Sequence, residues 1–216
     1  MPSRPFWRSG VRYRLPVYVG KGGYDICDER KYIWQIVIKP CLLCNVPSYL
    51  TYVVKARTFA ARSHSDRIEN VALCACWLMI IGCASIFGHT LNLLFFWIVP
   101  FLTTFQILGW FIELAEHAPY MNNRLDVHMT RNRHSHWFEQ FLTGIHGEAY
   151  HLAHHLRPRV PFWKMAELHR ILLRDPDYRQ WDSQCGGIFL SENGAPSVIS
   201  LLIEQCRQRQ RLGLCA

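Results

Sequence analysis

The stretch NVALCACWLMIIGCASIFGHTLNLLFFWIVPFLTTFQILGWFI, residues 70–112, runs for 43 residues without an Asp, Glu, Lys or Arg. One bilayer-spanning helix takes about 20 predominantly apolar residues. The stretch is too long for one such helix and the right length for two. Residues 71–88 would rise roughly 27 Å at about 1.5 Å per residue, close to the thickness of a hydrocarbon core. Gly88, His89 and Asn92 punctuate the middle as a tight turn, and residues 93–114 make the second span. Pro100 lies within that span and predicts a kink supported by neighbouring helices. The expected fold is therefore all-α: an integral membrane helical protein built on a two-span hairpin (70–114), with a cytosolic histidine-rich helical cap beyond it.

Charge sets the orientation. The turn has no Lys or Arg, whereas Arg62 and Arg67 precede the hairpin and Arg124, Arg131 and Arg133 follow it. The positive-inside rule then places both flanks and the cap in the cytoplasm and His89 outside. An even number of crossings follows. Lys and Arg total 24 against 16 acidic residues, a formal net charge of +8. Such a balance can serve nucleic acid, but here the cations flank apolar segments and no RNA- or DNA-binding signature interleaves them. The partner expected is the lipid bilayer, and no nucleic acid. Hydrophobic residues make up 50% of the chain and charged ones 19%, which excludes a disordered or low-complexity protein.

Upstream, residues 1–32 are polar, glycine-rich and read as irregular. The opening MPSRPFWRSGVRYRLP has no apolar core of signal-peptide length, so insertion is expected to rely on internal segments. Within 33–69, the segment IWQIVIKPCLLCNVPSYLTYVV (33–54) is apolar but interrupted by Lys39, Pro40 and Pro47. Prolines there remove hydrogen bonds that a spanning helix needs in lipid, so it reads as broken, interfacial or re-entrant, with a full crossing as the lesser option. Lys55, Arg57, Arg62 and Arg67 follow as a basic linker. The nine cysteines include a lone CxxC, Cys41 and Cys44. With no second pair, reduced thiols packed as small apolar groups are preferred to zinc or redox use.

Nine of the 11 histidines fall between residues 117 and 169. A helix is expected over 137–156, and on it His151, His154 and His155, at i, i+3 and i+4, share one face and can converge. Neutral imidazole is the commonest metal ligand, and three such nitrogens on one face suit iron, zinc or copper. The plain alternative is a solvated helix that is rich in histidine. His117 stands where the second span emerges, a ligand if the helices pack and an interfacial terminus if they do not. Arg131, Arg133 and His134 read either as a site for an acidic headgroup or carrier, or as a solvated face. In a further helix over 162–174, His169 lies on an apolar face and reads as a hydrogen-bonded structural histidine. The cap therefore covers 115–174, and a cytosolic tail, 175–216, carries a short amphipathic helix near 197–211.

EHAPY at 116–120, TRNR at 130–133 and YHLAHHLRPRVPFWKMAELHRIL at 150–172 resemble the C-terminal part of the membrane fatty acid desaturase and hydroxylase superfamily. The resemblance covers roughly residues 17–172. It implies a helical membrane domain with a cytosolic cap and a non-haem di-iron centre held almost wholly by histidines. It also implies an O₂-dependent desaturase or hydroxylase of lipid metabolism, acting on an acyl lipid or related small molecule. Electrons would come from an external ferredoxin- or cytochrome-type donor, since the chain has no GxGxxG or haem motif. On that pattern His151, His154 and His155 are the third histidine box and His117 is the extra histidine after the second pair of spans, all four as iron ligands.

Members of the superfamily carry two further boxes, HxxxH and HxxHH, before the second hairpin. Here no histidine precedes His64, and Arg14-Leu-Pro-Val17 stands where histidines belong. Glu148-Ala149 also replaces a position where many relatives place an asparagine. The chain is therefore expected to be a truncated member. Three readings stay open: an oxygenase completed by ligands from elsewhere, a non-catalytic membrane remnant, and a mononuclear histidine metal site.

Overall fold

The computed structural model describes residues 28–58, 63–118 and 127–213. These are mostly helical, with no strand among them and one isolated bridge, Ser135 to Ser191. They divide into two compact units. The irregular reading of residues 1–27 lies outside the described residues. Helix α1 (Glu29–Cys41) begins inside the segment read as irregular, because Asp28 Oδ1 accepts the backbone N–H groups of Arg30 (2.9 Å) and Lys31 (3.1 Å).

The first unit holds the apolar helices, Trp34–Gly109 among its residues. Helices α1 and α2 (Val46–Thr58) meet at a sharp break, with Glu29–Cys41 and Val46–Lys55 bent by 71°. Leu43 sits at that break with φ 60°. Pro40 follows a π turn over Trp34–Ile38, where the proline ring pushes the preceding carbonyls apart. The broken reading of 33–54 matches this geometry.

Helix α3 (His64–Ile86) starts on a reciprocal cap: Ser63 Oγ accepts from Asp66 N, and Asp66 Oδ2 accepts from Ser63 N, both at 3.0 Å. Helix α4 (Thr90–His117) follows a short turn. By length and composition both helices can cross a membrane, and the bent pair would add a third span if it is one. Their apolar stretches are unburied, with Leu78, Ile86 and Phe96 71%, 80% and 80% exposed. Apolar surface of that extent is favourable against lipid and unfavourable against water. The architecture is that of an integral membrane protein. The expected kink at Pro100 is present: a π turn over Leu94–Ile98 precedes it, and Thr103 leaves helical geometry, its Oγ1 donating to the Val99 carbonyl at 2.7 Å. Trp77 and Trp97 meet edge to face across the hairpin at 5.8 Å.

The second unit takes in residues from Trp110 onward. The single helix expected over 137–156 is two, α5 (Trp137–Thr143) and α6 (His151–Leu156). Between them His146 and Gly147 adopt φ 59° and 75°, which no helix continues through. Helices α7 (Met165–Leu172), α8 (Pro176–Asp182) and α9 (Val198–Arg211) complete the unit. Sequence reading passed over α8, although Asp175 caps it by accepting from Asp177 N and Tyr178 N and Pro176 opens it, a readable start signal. Leu152, Tyr178, Trp181 and Cys185 form the core, and Trp181 Nε1 donates to the Thr130 carbonyl at 3.0 Å.

Candidate metal centre

The segment Thr130–Arg131–Asn132–Arg133 organises the site from below. It is neither a solvated face nor open to a headgroup: all four residues are at most 2% exposed. Arg133 N donates to the Ala149 carbonyl (2.8 Å), and Asn132 Oδ1 accepts from Leu152 N (3.0 Å). The second of these satisfies a free donor in the first turn of α6, capping it from a distant segment. The helix that carries His151, His154 and His155 is thus fixed in position by residues about 20 positions earlier.

Helix α4 ends by presenting His117, and α6 presents His151 and His155 one turn apart. His151 Nε2 lies 3.2 Å from His117 Nε2 and 2.9 Å from His155 Nε2. The ligating nitrogens of these three residues all fall within 4.8 Å of one another. Metal–nitrogen bonds of about 2.0–2.1 Å put two ligands on one ion roughly 2.9–3.4 Å apart, so the two shorter separations fit a shared ion. The trio is the one such group among the described residues.

Two of the donors, His151 and His155, are in the right protonation state. Burial, followed by the neighbouring imidazoles, holds His151 well below the usual histidine range. Burial likewise pushes His155 down to about 4. Both are neutral at pH 7, with lone pairs available to a cation. Behind them, Glu116 Oε2 lies 3.1 Å from His151 Nδ1, which directs the Nε2 lone pair toward the trio. Glu116 Oε1 accepts from Arg133 Nε at 3.0 Å. The Arg133 guanidinium also donates to Thr143 Oγ1 (3.0 Å) and the Thr143 carbonyl (2.9 Å). Glu113 Oε2 stands 3.7 Å from His117 Nε2, at the edge of the cluster.

His154 lies apart from this trio. It is exposed, its ring 6.3 Å from that of His151. On a helix, i+4 lies about 40° to one side of i and i+3 about 60° to the other, so His155 and His154 flank the direction of His151 on opposite sides. His169 is buried and hydrogen-bonded, Nδ1 at 2.9 Å from the Tyr178 hydroxyl. His134 Nε2 is 3.0 Å from Asp182 Oδ1, which also accepts from Asn132 Nδ2 at 2.6 Å. His128 packs edge-on against Trp181, His146 against Phe162, and His136 caps α5. Sequence reading missed Glu116, Asn132 and Arg133 as supports. The available signal was their place within the EHAPY and TRNR motifs, not any spacing.

The fatty acid desaturase family profile matches residues 28–183, most of the chain. The chain belongs to that family. It is also 34% identical over 202 residues to the dihydrorhizobitoxine desaturase of Bradyrhizobium elkanii. That alignment covers 90% of this chain and 57% of the relative, so the chain spans little more than half the length of the desaturase it matches. No solved structure matches it.

Proposed function

We propose that this desaturase-family chain supplies part of the non-haem iron centre of an O₂-dependent desaturase or hydroxylase. His117, His151 and His155 are its iron ligands, and His154 is the outlying member of the box. The observation that carries this reading is the meeting of three imidazole nitrogens from elements 34 residues apart in sequence. Iron held there supplies the activation of O₂ for removing hydrogen from an unactivated C–H bond. The protein's own part is positional: Glu116 orients His151, and Arg133 with Thr143 holds Glu116.

The electron balance calls for a partner. Desaturation takes two hydrogens and two electrons from the substrate, while reducing O₂ to two waters takes four electrons. The other two come from an external ferredoxin- or cytochrome-type donor. Acyl lipids suit a membrane-bound site, and the relative's name adds dihydrorhizobitoxine to the substrates to try. The cap, 115–174, and both flanks of the hairpin face the cytoplasm, as the distribution of Lys and Arg favours.

A single-iron site is the second reading, favoured by the one convergent ligand group among the described residues. Iron per chain in the detergent-solubilised protein, expressed with ample iron, separates them. About two irons supports the di-iron centre and about one the single-iron site. In either case His151→Ala loses the metal while remaining folded. A folded, iron-free parent refutes the ligand assignment and leaves a non-catalytic remnant.

A further inference from the structure

Helix α5 turns its polar side chains inward and its apolar ones outward. Glu139 and Thr143 are 7% and 5% exposed, whereas Trp137, Phe138, Phe141 and Leu142 are 70%, 52%, 74% and 41% exposed. The four apolar residues, at i, i+1, i+4 and i+5, make one stripe along the helix.

The inverted orientation is fixed by buried and part-buried hydrogen bonds. The Glu139 carboxylate accepts the backbone N–H groups of Ile188 (2.6 Å), Phe189 (2.8 Å) and Leu190 (3.1 Å). Thr143 receives the Arg133 guanidinium on its hydroxyl and its carbonyl. Rolling the helix to hide its apolar stripe would abandon all five bonds, three of them buried and costly to leave without a partner. The Glu139 clamp also brings Phe189 and Leu190 beside the helix, 46% and 55% exposed.

A contiguous apolar patch held outward in this way marks a surface that meets something other than water. Its continuity indicates what. The Phe189 ring packs on Phe111 at 4.9 Å, and Phe111 lies on α4, a helix apolar enough to cross a membrane. Phe111 is next to the last residue of the uncharged run, so the patch begins where that run ends. Tryptophan, here Trp137, concentrates at the level where lipid meets water, and the neighbouring Phe and Leu side chains supply apolar surface beside it.

We propose that the face formed by Trp137, Phe138, Phe141, Leu142, Phe189 and Leu190 lies in the interfacial layer of a phospholipid bilayer. It docks the histidine-bearing unit on the membrane beyond the anchorage that the spans provide. The surface does not depend on the identity of any metal.

Photo-crosslinking of the purified full chain in phosphatidylcholine–phosphatidylglycerol vesicles tests this. Benzoyl-phenylalanine replaces Trp137 or Phe141, with Gln180 on the polar, exposed surface of α8 as the control. Lipid adducts at 137 and 141 are expected to exceed those at 180 by at least about fivefold. Adducts to a second protein chain, or lipid adducts no more frequent than at 180, overturn the proposal. A milder variant guards against a probe that disturbs folding: in Trp137→Phe, the fluorescence quenched by brominated phosphatidylcholine falls relative to the parent. An unchanged quenched intensity also overturns it.

Discussion

Replacing Arg133 by Lys tests whether the TRNR segment is a structural core and not a charged surface. The Arg133 side chain is 0% exposed, and its three donor nitrogens reach Glu116 Oε1, Thr143 Oγ1 and the Thr143 carbonyl at 2.9–3.0 Å. A lysine keeps the charge but offers one compact ammonium in place of a planar fork. It can satisfy one of the two partner residues and leaves the other without its buried donor. Each lost bond to a charged donor is worth about 1.5–3 kcal/mol, and disrupting a buried ionic network typically costs about 3–5 kcal/mol. For a chain of this size, each kcal/mol moves the midpoint by about 2–4 °C, so Arg133→Lys is expected to melt roughly 6–20 °C below the parent. Far-UV circular dichroism of the full chain in detergent reads this directly. Arg170→Lys, at an exposed position of α7, is the matched control and stays within about 1 °C. If Arg133→Lys melts within about 2 °C of the parent, the buried network does not carry the stability assigned to it.

Stability also depends on pH with a definite sign. Burial lowers the folded-state pKa of His151, His155 and His169 relative to the usual histidine value, His155 to about 4. The unfolded chain therefore binds more protons than the folded one between about 6.5 and 4, so the contribution is full above pH 6.5 and is lost as pH falls toward 4. Thermal midpoints of the chelator-treated protein should drop across that window, and a flat profile from pH 7 to 5 would contradict the buried, neutral histidines. At Gly187, an added Cβ would collide with the Leu190 carbonyl and stand 2.7 Å from Glu139 Oε1 and 2.8 Å from Ser135 Cα. Gly187→Ala should therefore pry open the Glu139 clamp at about 1–3 kcal/mol and speed proteolysis near residues 184–197. Gly82→Ala, with nothing within 4 Å, should leave cleavage unchanged.

What the sequence determined by itself was local and periodic. The absence of charge over 70–112 and the length needed to cross a bilayer gave the two-helix hairpin, since both follow from composition and a fixed rise per residue. Prolines 40 and 47 marked a broken segment, because a missing N–H acts where it stands. The pairing of His151 with His155 was legible in the same way, from helical geometry. The break at His146 and Gly147 was not, since a positive φ at a histidine leaves no mark in a pattern of apolar residues. Nor was the burial of TRNR. An arginine is exposed or buried according to whether a carboxylate and a carbonyl from other elements meet it, and Glu116 and Thr143 do so from helices 17 and 10 residues away. His117 joined His151 only when α4 and α6 came together, and the inverted face of α5 emerged only when Glu139 found three backbone donors some 50 residues downstream. Secondary structure is encoded in neighbours along the chain. The fate of a charge, and with it the site, is decided by partners that only the folded chain brings together.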